Sequence, residues 1–461
     1  MTESTNQIVL SRDAFEPLHV SERKHGTTRP SLSYWQDAWR RLKENRRALI
    51  SLYLVVALLV FTLIGPLLWT MSPSTQDLDQ ISQPPWADRS AVIVAPYTLW
   101  QGETSQLGGS GLRTAAQANT QAVRLLWDAL PEARGGYRVY RNIFPIGPER
   151  AYGLPLGEQT KPGKTYFEDR LDLKAQNYFY SVVPLDENGD ELAQAETIEV
   201  SVINAITLRD AVERELLAAD TTLTVGDTVT LALHPLGTDY LGRDMLARLM
   251  HGAQVSLFIG MVAPFLYVLL GVVYGAAAGF MGGRLDAVMM RFADFVVALP
   301  FLLFMILFKI MFGIGPGESG IMPMLIAMVI LSWPATSRLV RGQILQIREE
   351  GYISASRLLG ANTSYLILRH MIPNTMGVIL VTLTFAVPSA IFTEAFLSFI
   401  GMGVAPPTPS WGSMCNEGIK TMLTTPHELI FPAMFISLTV LAFNLLGDGL
   451  RDALDARMRN T

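Results

Sequence analysis

Residues 48–69 read ALISLYLVVALLVFTLIGPLLW, an apolar run without a charged side chain. As an α-helix, a run of about 22 residues extends about 33 Å, enough to cross the hydrocarbon core of a bilayer. The run does not fit a cleaved signal peptide, because about 47 residues precede it and no small-residue cleavage site follows. It therefore predicts an uncleaved transmembrane helix.

Further apolar segments of similar length follow, at 255–280, 292–312, 321–339, 375–400 and 430–446. Of the 461 residues, 50% are hydrophobic and only 17% are charged. Soluble domains carry about a quarter charged residues. The fold class predicted is mainly α, a polytopic membrane protein with about six transmembrane helices. The net charge of -5 argues against nucleic acid as a partner.

The distribution of lysine and arginine predicts the orientation of these helices. Basic residues cluster before the first span, between spans two and three, between four and five, and after the sixth, whereas the loops at 313–320 and 401–428 contain only Lys420. Since positive loops stay in the cytoplasm, both termini are predicted there, with residues 72–233 outside the cell membrane. Cys415 should then react with an impermeant thiol reagent applied from outside, unless it is packed away.

The segment predicted to be external contains a β pattern. Apolar and polar residues alternate from about 120 to 203, as at Val123, Leu125 and Trp127, with turn residues between the runs. Residues 87–233 carry about 13 basic and 20 acidic side chains, so the acidity of the protein belongs to this part. The pattern predicts an inserted extracellular β-sandwich. The order of its aromatic runs resembles a fibronectin type III domain.

A short polar helix is predicted between spans four and five. Glu349 and Glu350 precede it and Arg357 stands near its end, an order that complements the helix dipole. Gly360 suits a left-handed C-cap, and Pro373 suits the first turn of the next helix. Taken alone, these features would also suit a plain connection.

The spacing of this loop resembles the EAA loop of ATP-binding-cassette (ABC) importer permeases, whose short helix docks on an ATPase subunit. Ala355 precedes Gly360, and Ile372-Pro373 places its proline thirteen residues after that glycine. The sequence departs from the family pattern at Ser354, Ser356 and His370. The resemblance implies an ATPase-coupling loop at 342–373 formed by Ile353, Ser354, Ala355, Ser356, Arg357, Leu358, Gly360, Ile372 and Pro373.

Other motifs narrow this resemblance to the C-type permease subunit of oligopeptide, dipeptide and nickel importers. They are HPLGTDYLGRD at 234–244, RFAD at 291–294, SWP at 332–334, LVRGQ at 339–343, TEAFLSF at 393–399, PPTPSWG at 406–412 and NLLGDGLRD at 444–452. The resemblance covers about 33–85 and 234–459. The first motif supplies a family signature at the external side: His234, Gly237, Asp239, Gly242, Arg243 and Asp244.

This resemblance implies a type I ABC importer permease bundle that takes up peptides or a related solute. The implied partners are a homologous second permease, two ATP-binding subunits, an extracellular solute-binding protein and the bilayer. ATP and Mg would bind the ATPase subunits, and neither a catalytic residue nor a metal or cofactor site is predicted on this chain. An alternative is a membrane-anchored receptor or adhesion protein with a fibronectin-like ectodomain, and another is a secondary transporter.

The predicted organisation divides the chain at the limits of the spans. It comprises a cytoplasmic segment at 1–47, a first span at 48–71, the external region at 72–233, an interfacial elbow at 234–252, the permease core at 253–450 with five spans, and a cytoplasmic tail at 451–461. Lys309 and Glu394 fall near the outer ends of their helices. Snorkelling or pairing is the simpler interpretation of these two side chains, and lining the outer mouth of the pathway is the other.

Overall fold

A computed structural model describes residues 34–78, 80–102, 111–147, 151–159, 163–193, 195–214, 216–218, 222–312 and 319–454. The predicted terminal segments at 1–33 and 455–461 lie outside the described residues. The helices are α1 (Tyr34–Glu44), α2 (Arg46–Leu68), α3 (Leu208–Glu213), α4 (Met245–Met281), α5 (Gly283–Ala298), α6 (Phe301–Met311), α7 (Ile321–Arg348), α8 (Gly351–Leu358), α9 (Thr363–Tyr365), α10 (Ile372–Phe399), α11 (Trp411–Gly418) and α12 (His427–Leu454). The strands are β1 (Ser90–Val94), β2 (Arg113–Thr114), β3 (Val123–Leu126), β4 (Gly136–Asn142), β5 (Leu154–Gln159), β6 (Tyr166–Asp169), β7 (Asn177–Leu185), β8 (Glu196–Ser201), β9 (Ala205–Thr207) and β10 (Thr228–Thr230).

Within the described residues, five helices are long and apolar enough to span a membrane: α2, α4, α7, α12, and the run of α9, a π turn (Leu366–Met371) and α10. The α5–α6 pair also passes this test, which gives six if the pair counts as one span. The prediction of a helical polytopic membrane protein with about six spans is confirmed. The bundle has a loop end, marked by α8, and an insertion end, where the strands are attached.

The third predicted span, 292–312, is not a straight helix. Helices α5 and α6 meet at 81°, with Leu299 and Pro300 between them. The amide of Leu299 closes α5 on the carbonyl of Val296. Pro300 has no amide hydrogen and cannot continue the helical hydrogen bonds, so the chain turns at this point.

The elbow predicted at 234–252 is not a separate helix either. Residues from Met245 onward form the first turns of α4, which continues without interruption to Met281. An interfacial elbow would leave the polar side of this segment exposed. Arg248 is instead only 2% exposed, so nearly all sides of this segment are packed.

Helices α4 and α7 pack backbone against backbone through three glycines of α4, Gly271, Gly275 and Gly279, spaced four residues apart. A Cβ atom at these positions would lie 2.8 Å from the carbonyl oxygen of Trp333, 2.3 Å from that of Ser337 and 2.9 Å from that of Arg341, respectively. Small residues at this spacing let membrane helices approach closely. The approach of α4 to α7 therefore depends on the absence of side chains here.

Around this contact the spans bury two apolar clusters. One joins α4, α7 and α10, with Ala263, Met328 and Ile379 among its members. The other joins α2 and α12 to the first half of α4, through residues such as Val55 and Phe443. The helices thus share a packed interior.

The strands between α2 and α4 form three sheets. One has the order β2-β3-β6 and another β5-β4-β7-β8, both antiparallel. Their facing side chains, including Val123, Leu125, Val139 and Tyr180, make one core. Burial raises the pKa of Tyr180, and its hydroxyl donates to Asp169 at 2.7 Å. These two sheets are called the two-sheet domain below.

The third sheet, β10-β1-β9, connects the two-sheet domain to the spans. Strand β1 pairs antiparallel with β10, and the amide of Leu231 donates to the carbonyl of Arg89 at 2.8 Å. The two chain segments that enter and leave the inserted region are therefore adjacent. An insertion with adjacent ends leaves the surrounding bundle intact.

Replacing Gly275 by alanine tests the glycine contact. Because the new Cβ would meet the Ser337 carbonyl, the substitution should destabilise the bundle by about 1–3 kcal/mol. Gly342→Ala on α7 is the matched control, since a Cβ there meets nothing within 4 Å and alanine favours the helix. Thermal unfolding of the purified protein measures both. Equal midpoints for the two variants would contradict the close approach.

Candidate functional site

Helix α8 projects at the loop end and carries most of the predicted coupling residues: Ile353, Ser354, Ala355, Ser356, Arg357 and Leu358. Ile353 is fully buried in the core with Ile344 and Met371. Leu358 and its neighbour Leu359 are each 89% exposed. A single buried side chain thus anchors a helix whose remaining residues are at or near the surface.

The loop is closed by the residues that the sequence indicated. Gly360 follows α8 with φ +90°, a conformation that residues with a Cβ rarely adopt, and its amide donates to the Arg357 carbonyl at 3.0 Å. Ile372 and Pro373 begin α10 directly after the π turn. Proline has no amide hydrogen and cannot make the regular helical hydrogen bond to residue i−4. A π turn before Pro373 accommodates this missing bond.

Helix α8 is braced against the end of α4. The guanidinium of Arg357 lies over the ring of Phe280, 5.5 Å from its centre. Arg348, at the end of α7, donates to the carbonyls of Gly279 and Phe280 at 3.4 and 3.3 Å. A displacement of α8 would therefore be transmitted to both α4 and α7.

Two ion pairs join α5 to α7 near the same end. Arg341 binds Asp286 through two hydrogen bonds of 2.6 Å, and Arg338 binds Asp294 at 2.6 Å. Charge-assisted bidentate pairs fix geometry as well as contributing energy. Helix α5 is thus held to α7 by these ion pairs as well as by apolar contacts such as Phe292 on Trp333.

A cluster of buried charges lies at the insertion end. Asp239 accepts from Arg243 at 2.7 Å and also from Arg248, and Glu417 of α11 accepts from the same two arginines at 2.8 and 2.7 Å. The four side chains are between 3% and 11% exposed. Two positive and two negative charges balance, so each buried charge has its counter-ion. This set is called the charge cluster.

Asp244 forms the adjoining joint of this end. It caps α4 by accepting from the Ala247 amide at 2.6 Å. It also accepts from Trp69 Nε1 at 3.0 Å and contacts His234 Nδ1 at 2.7 Å. One carboxylate therefore holds together the end of α2, the beginning of α4 and the first residue of the predicted motif.

The glycines of the same motif are required by close backbone contacts. Gly237 and Gly242 have φ of +77° and +72°. A Cβ on Gly237 would lie 2.2 Å from the Gln83 carbonyl, and one on Gly242 would lie 1.8 Å from that of Asp77. Residues 77–78, 80–83 and 234–244, called the cap, thus form one layer over the insertion end.

The structure brings the predicted residues of the cap together, but the sequence did not indicate two of the four members of the charge cluster. Glu417 lies 174 residues from Arg243, in a loop for which only Lys420 was noted. Arg248 lies in the segment that was predicted to be an interfacial elbow. The signal that could have identified Arg248 is its position five residues after Arg243, both following the acidic Asp239.

Lys309 and Glu394, predicted near the outer ends of their helices, both contact the segment after α10. Lys309 donates to the Gly401 carbonyl at 2.9 Å. Glu394 is fully buried and accepts from Ser398 at 2.8 Å, and Ser398 accepts in turn from the Val404 amide. In this structure Glu394 supports the hairpin that leads to α11.

Cys415 lies in α11 and is only 8% exposed. Burial, followed by the charge of Glu394, raises the pKa of its thiol to about 12. A thiol is nucleophilic as the thiolate, so this cysteine is protected near neutral pH. The thiol labelling considered from the sequence is therefore not expected at this position.

Comparison with known proteins gives two matched families. Residues 271–460 match the family described as "Binding-protein-dependent transport system inner membrane component". Residues 33–85 match the "N-terminal TM domain of oligopeptide transport permease C". The two matched ranges leave the inserted strands between them.

Curated relatives are similar over about half of the chain. The oligopeptide transport system permease protein OppC of Bacillus subtilis is 49% identical over 226 residues, which cover 49% of this chain and 72% of the relative. The dipeptide transport system permease protein DppC of the same organism is 47% identical over 227 residues, covering 49% and 69%. The glutathione transport system permease protein GsiD of Escherichia coli O157:H7 is 43% identical over 226 residues, covering 49% and 73%. Among solved structures, an inward-facing MetNI methionine ABC transporter aligns with 46% of this chain and 98% of its own, at 16% identity and a TM-score of 0.38.

Removing one member of the charge cluster should strongly lower the stability of the folded protein. In Glu417→Ala, Arg243 and Arg248 share Asp239 alone, and the uncompensated buried charge should lower the free energy of unfolding by about 3–5 kcal/mol. Glu213→Ala is the control, because its partner Arg209 is 81% exposed and such pairs contribute little. Thermal unfolding of the purified protein compares the two. A Glu417→Ala variant as stable as Glu213→Ala would contradict the pairing.

Proposed function

The chain belongs to the family of binding-protein-dependent transport system inner membrane components and is a multi-pass transport permease, and we propose that it forms one half of the translocation pathway of an ATP-driven importer of peptides. The relatives that transport oligopeptides and dipeptides support peptides as the solute class. Catalysis on this chain is not part of the proposal. ATP and Mg would bind partner ATPase subunits, and the permease would convert their closure into a change of accessibility.

The observation that carries this proposal is the exposure of α8. Leu358 at the end of α8 and Leu359 directly after it are both 89% exposed, and Ile353 is the one buried side chain of this helix. Isolated exposed apolar residues are ordinary, but adjacent ones on a projecting, capped helix suit a protein partner. We assign this face to an ATPase subunit, which places the loop end and both termini in the cytoplasm.

Movement of α8 would reach the spans through contacts already described. Arg357 connects α8 to Phe280 of α4, and Arg348 connects α7 to the same turn of α4. Since α4 and α7 touch backbone to backbone at the glycines, they should move as one body. A pull on α8 would then tilt this pair against the rest of the bundle.

The second permease would cover the apolar face of α5 and α6. This face carries large exposed side chains: Val288, Phe292, Phe295, Leu303, Leu307 and Ile310. Few side chains of α5 are buried in the chain itself. A homologous subunit or lipid must cover such a surface within a membrane, and the bent geometry of α5 and α6 suits a shaped protein interface.

We further assign the two-sheet domain to the outer side of the membrane as a fibronectin type III-like sandwich. The three-stranded and four-stranded sheets with one shared core support that assignment. Its position over the cap makes it a docking surface or guide for the extracellular solute-binding protein. The cap, through Arg243 and Glu417, would connect that docking surface to α11.

Replacing Gly360 tests the coupling role of α8. Valine cannot adopt φ +90° without strain of about 1–3 kcal/mol, so Gly360→Val should disturb the end of α8 and abolish uptake and ATPase stimulation while membrane insertion stays normal. Gly147→Val, outside the coupling loop, is the control, since both sites offer free space to a side chain and only Gly360 has a positive φ. The measurements are peptide uptake and ATPase activity of the assembled importer in proteoliposomes. Normal uptake by Gly360→Val would contradict the assignment.

Deleting the insertion tests its proposed role. Residues 87–233 can be replaced by a short glycine-serine link, because the amide of Leu231 already bonds to the carbonyl of Arg89. Affinity for the solute-binding protein and uptake should both fall, whereas assembly with the ATPase subunits should persist, as measured by co-purification. Unchanged affinity and uptake in the deletion variant would exclude a docking role.

A further inference from the structure

One end of the two-sheet domain carries a group of exposed apolar side chains. Ile143 and Phe144, after β4, are 41% and 59% exposed, while Leu154 and Leu171 are 55% and 58% exposed. These four residues are called the apolar tip. Arg141 lies at their centre, since it pairs with Leu154 across the sheet and donates to the Leu171 carbonyl at 2.6 Å.

Strand directions place the apolar tip at the end of the domain nearest the spans. Asn142, the last residue of β4, pairs with Phe179 near the beginning of β7, and Asn177 of β7 pairs with Ser201 at the end of β8. From β8 the chain continues to β9 in the connecting sheet. The apolar tip and the return of the chain toward the membrane therefore share one end.

Contacts with the cap also place the apolar tip at the end of the two-sheet domain nearest the spans. The loop at 170–174, which includes Leu171, borders a cavity whose other walls include Leu78, Ile81 and Gln83 of the cap. The cap in turn is bonded to the last turn of α2 through Asp244 and Trp69. The first span ends at that level. The apolar tip therefore lies on the side of the domain where the first span ends.

The two ends of the two-sheet domain also differ in charge. At the end of the domain away from the spans, the described loops at 127–135 and 186–191 carry six carboxylates against Arg134: Asp128, Glu132, Asp186, Glu187, Asp190 and Glu191. Around the apolar tip, the described charges are Arg141, Arg170 and Lys174 against Asp169, Asp172 and Glu199. The end nearest the spans is thus close to neutral, whereas the acidic end would be repelled by any anionic lipid headgroups.

We propose that the apolar tip inserts into the outer interface of the lipid bilayer, so that the two-sheet domain rests on the membrane instead of standing free above it. The interface accommodates apolar and aromatic side chains that are flanked by basic groups. Trp86, 78% exposed and three residues beyond the cap, adds an aromatic side chain that favours the same interface. This inference rests on the proposed outward location of the insertion.

The test uses the assembled importer in lipid nanodiscs. Phe144→Cys is labelled with the environment-sensitive fluorophore NBD, and Asn188→Cys, exposed in the loop at the opposite end of the domain, is the matched control. Phosphatidylcholine with a shallow nitroxide should quench the label at position 144 at least twofold more than at 188. Leu171→Cys, on a separate loop, should behave as position 144 does.

Two results would overturn the proposal. Equal quenching at 144 and 188 would mean that the apolar tip stays in water. A blue-shifted label at 144 that lipid nitroxides do not quench, and that keeps its shift in detergent, would mean that a protein partner covers the tip.

Labelling of intact cells separates this proposal from the proposed function. An impermeant maleimide should label Asn188→Cys from outside. Failure at position 188 would refute the outward location and with it both proposals. Labelling at 188 without lipid quenching at 144 would refute only the contact with the bilayer.

Discussion

The contact between α4 and α7 is the constraint on which the rest of the bundle depends. At Gly275 the helices approach so closely that one added carbon would lie 2.3 Å from the Ser337 carbonyl. Helix α7 leads directly into α8, and the last turn of α4 contains Phe280, over which Arg357 lies. Because the two helices meet without intervening side chains, the loop end is braced by a stiff pair. Dispersion contacts over a smooth surface provide this stiffness where no hydrophobic effect acts between helices.

The insertion end is held by a different kind of force. The charge cluster and Asp244 join the cap to α2, α4 and α11 through buried hydrogen-bonded charges. Such pairs contribute little net stability compared with apolar packing. Removing one partner, however, strongly destabilises the fold, because the other charge is left buried without a counter-ion. They therefore specify one arrangement of segments that are far apart in sequence. An inserted domain placed on this cap acquires a defined position relative to the spans.

Sequence reasoning succeeded where the signal was local. The spans, the loop containing Ile353 and Gly360, and the alternation at Val123 and Leu125 each follow from a run of neighbouring residues. It failed at the predicted interfacial elbow, because Arg248 of that segment is buried against Glu417, a residue far away in sequence. It also overlooked the glycine repeat of α4, although small residues at that spacing are visible in the sequence.

By itself the sequence determined that this is a multi-pass membrane protein with about six apolar spans, and it located the region that holds the acidic excess. These properties depend on composition and on the spacing of apolar residues along the chain, which is about two residues in strands and about four in helices. Only the tertiary structure decided that α4 runs without a break from Met245, that α5 and α6 meet at 81°, and that Glu417 pairs with Arg243. Those outcomes depend on contacts between distant segments, whose free energy no local pattern contains.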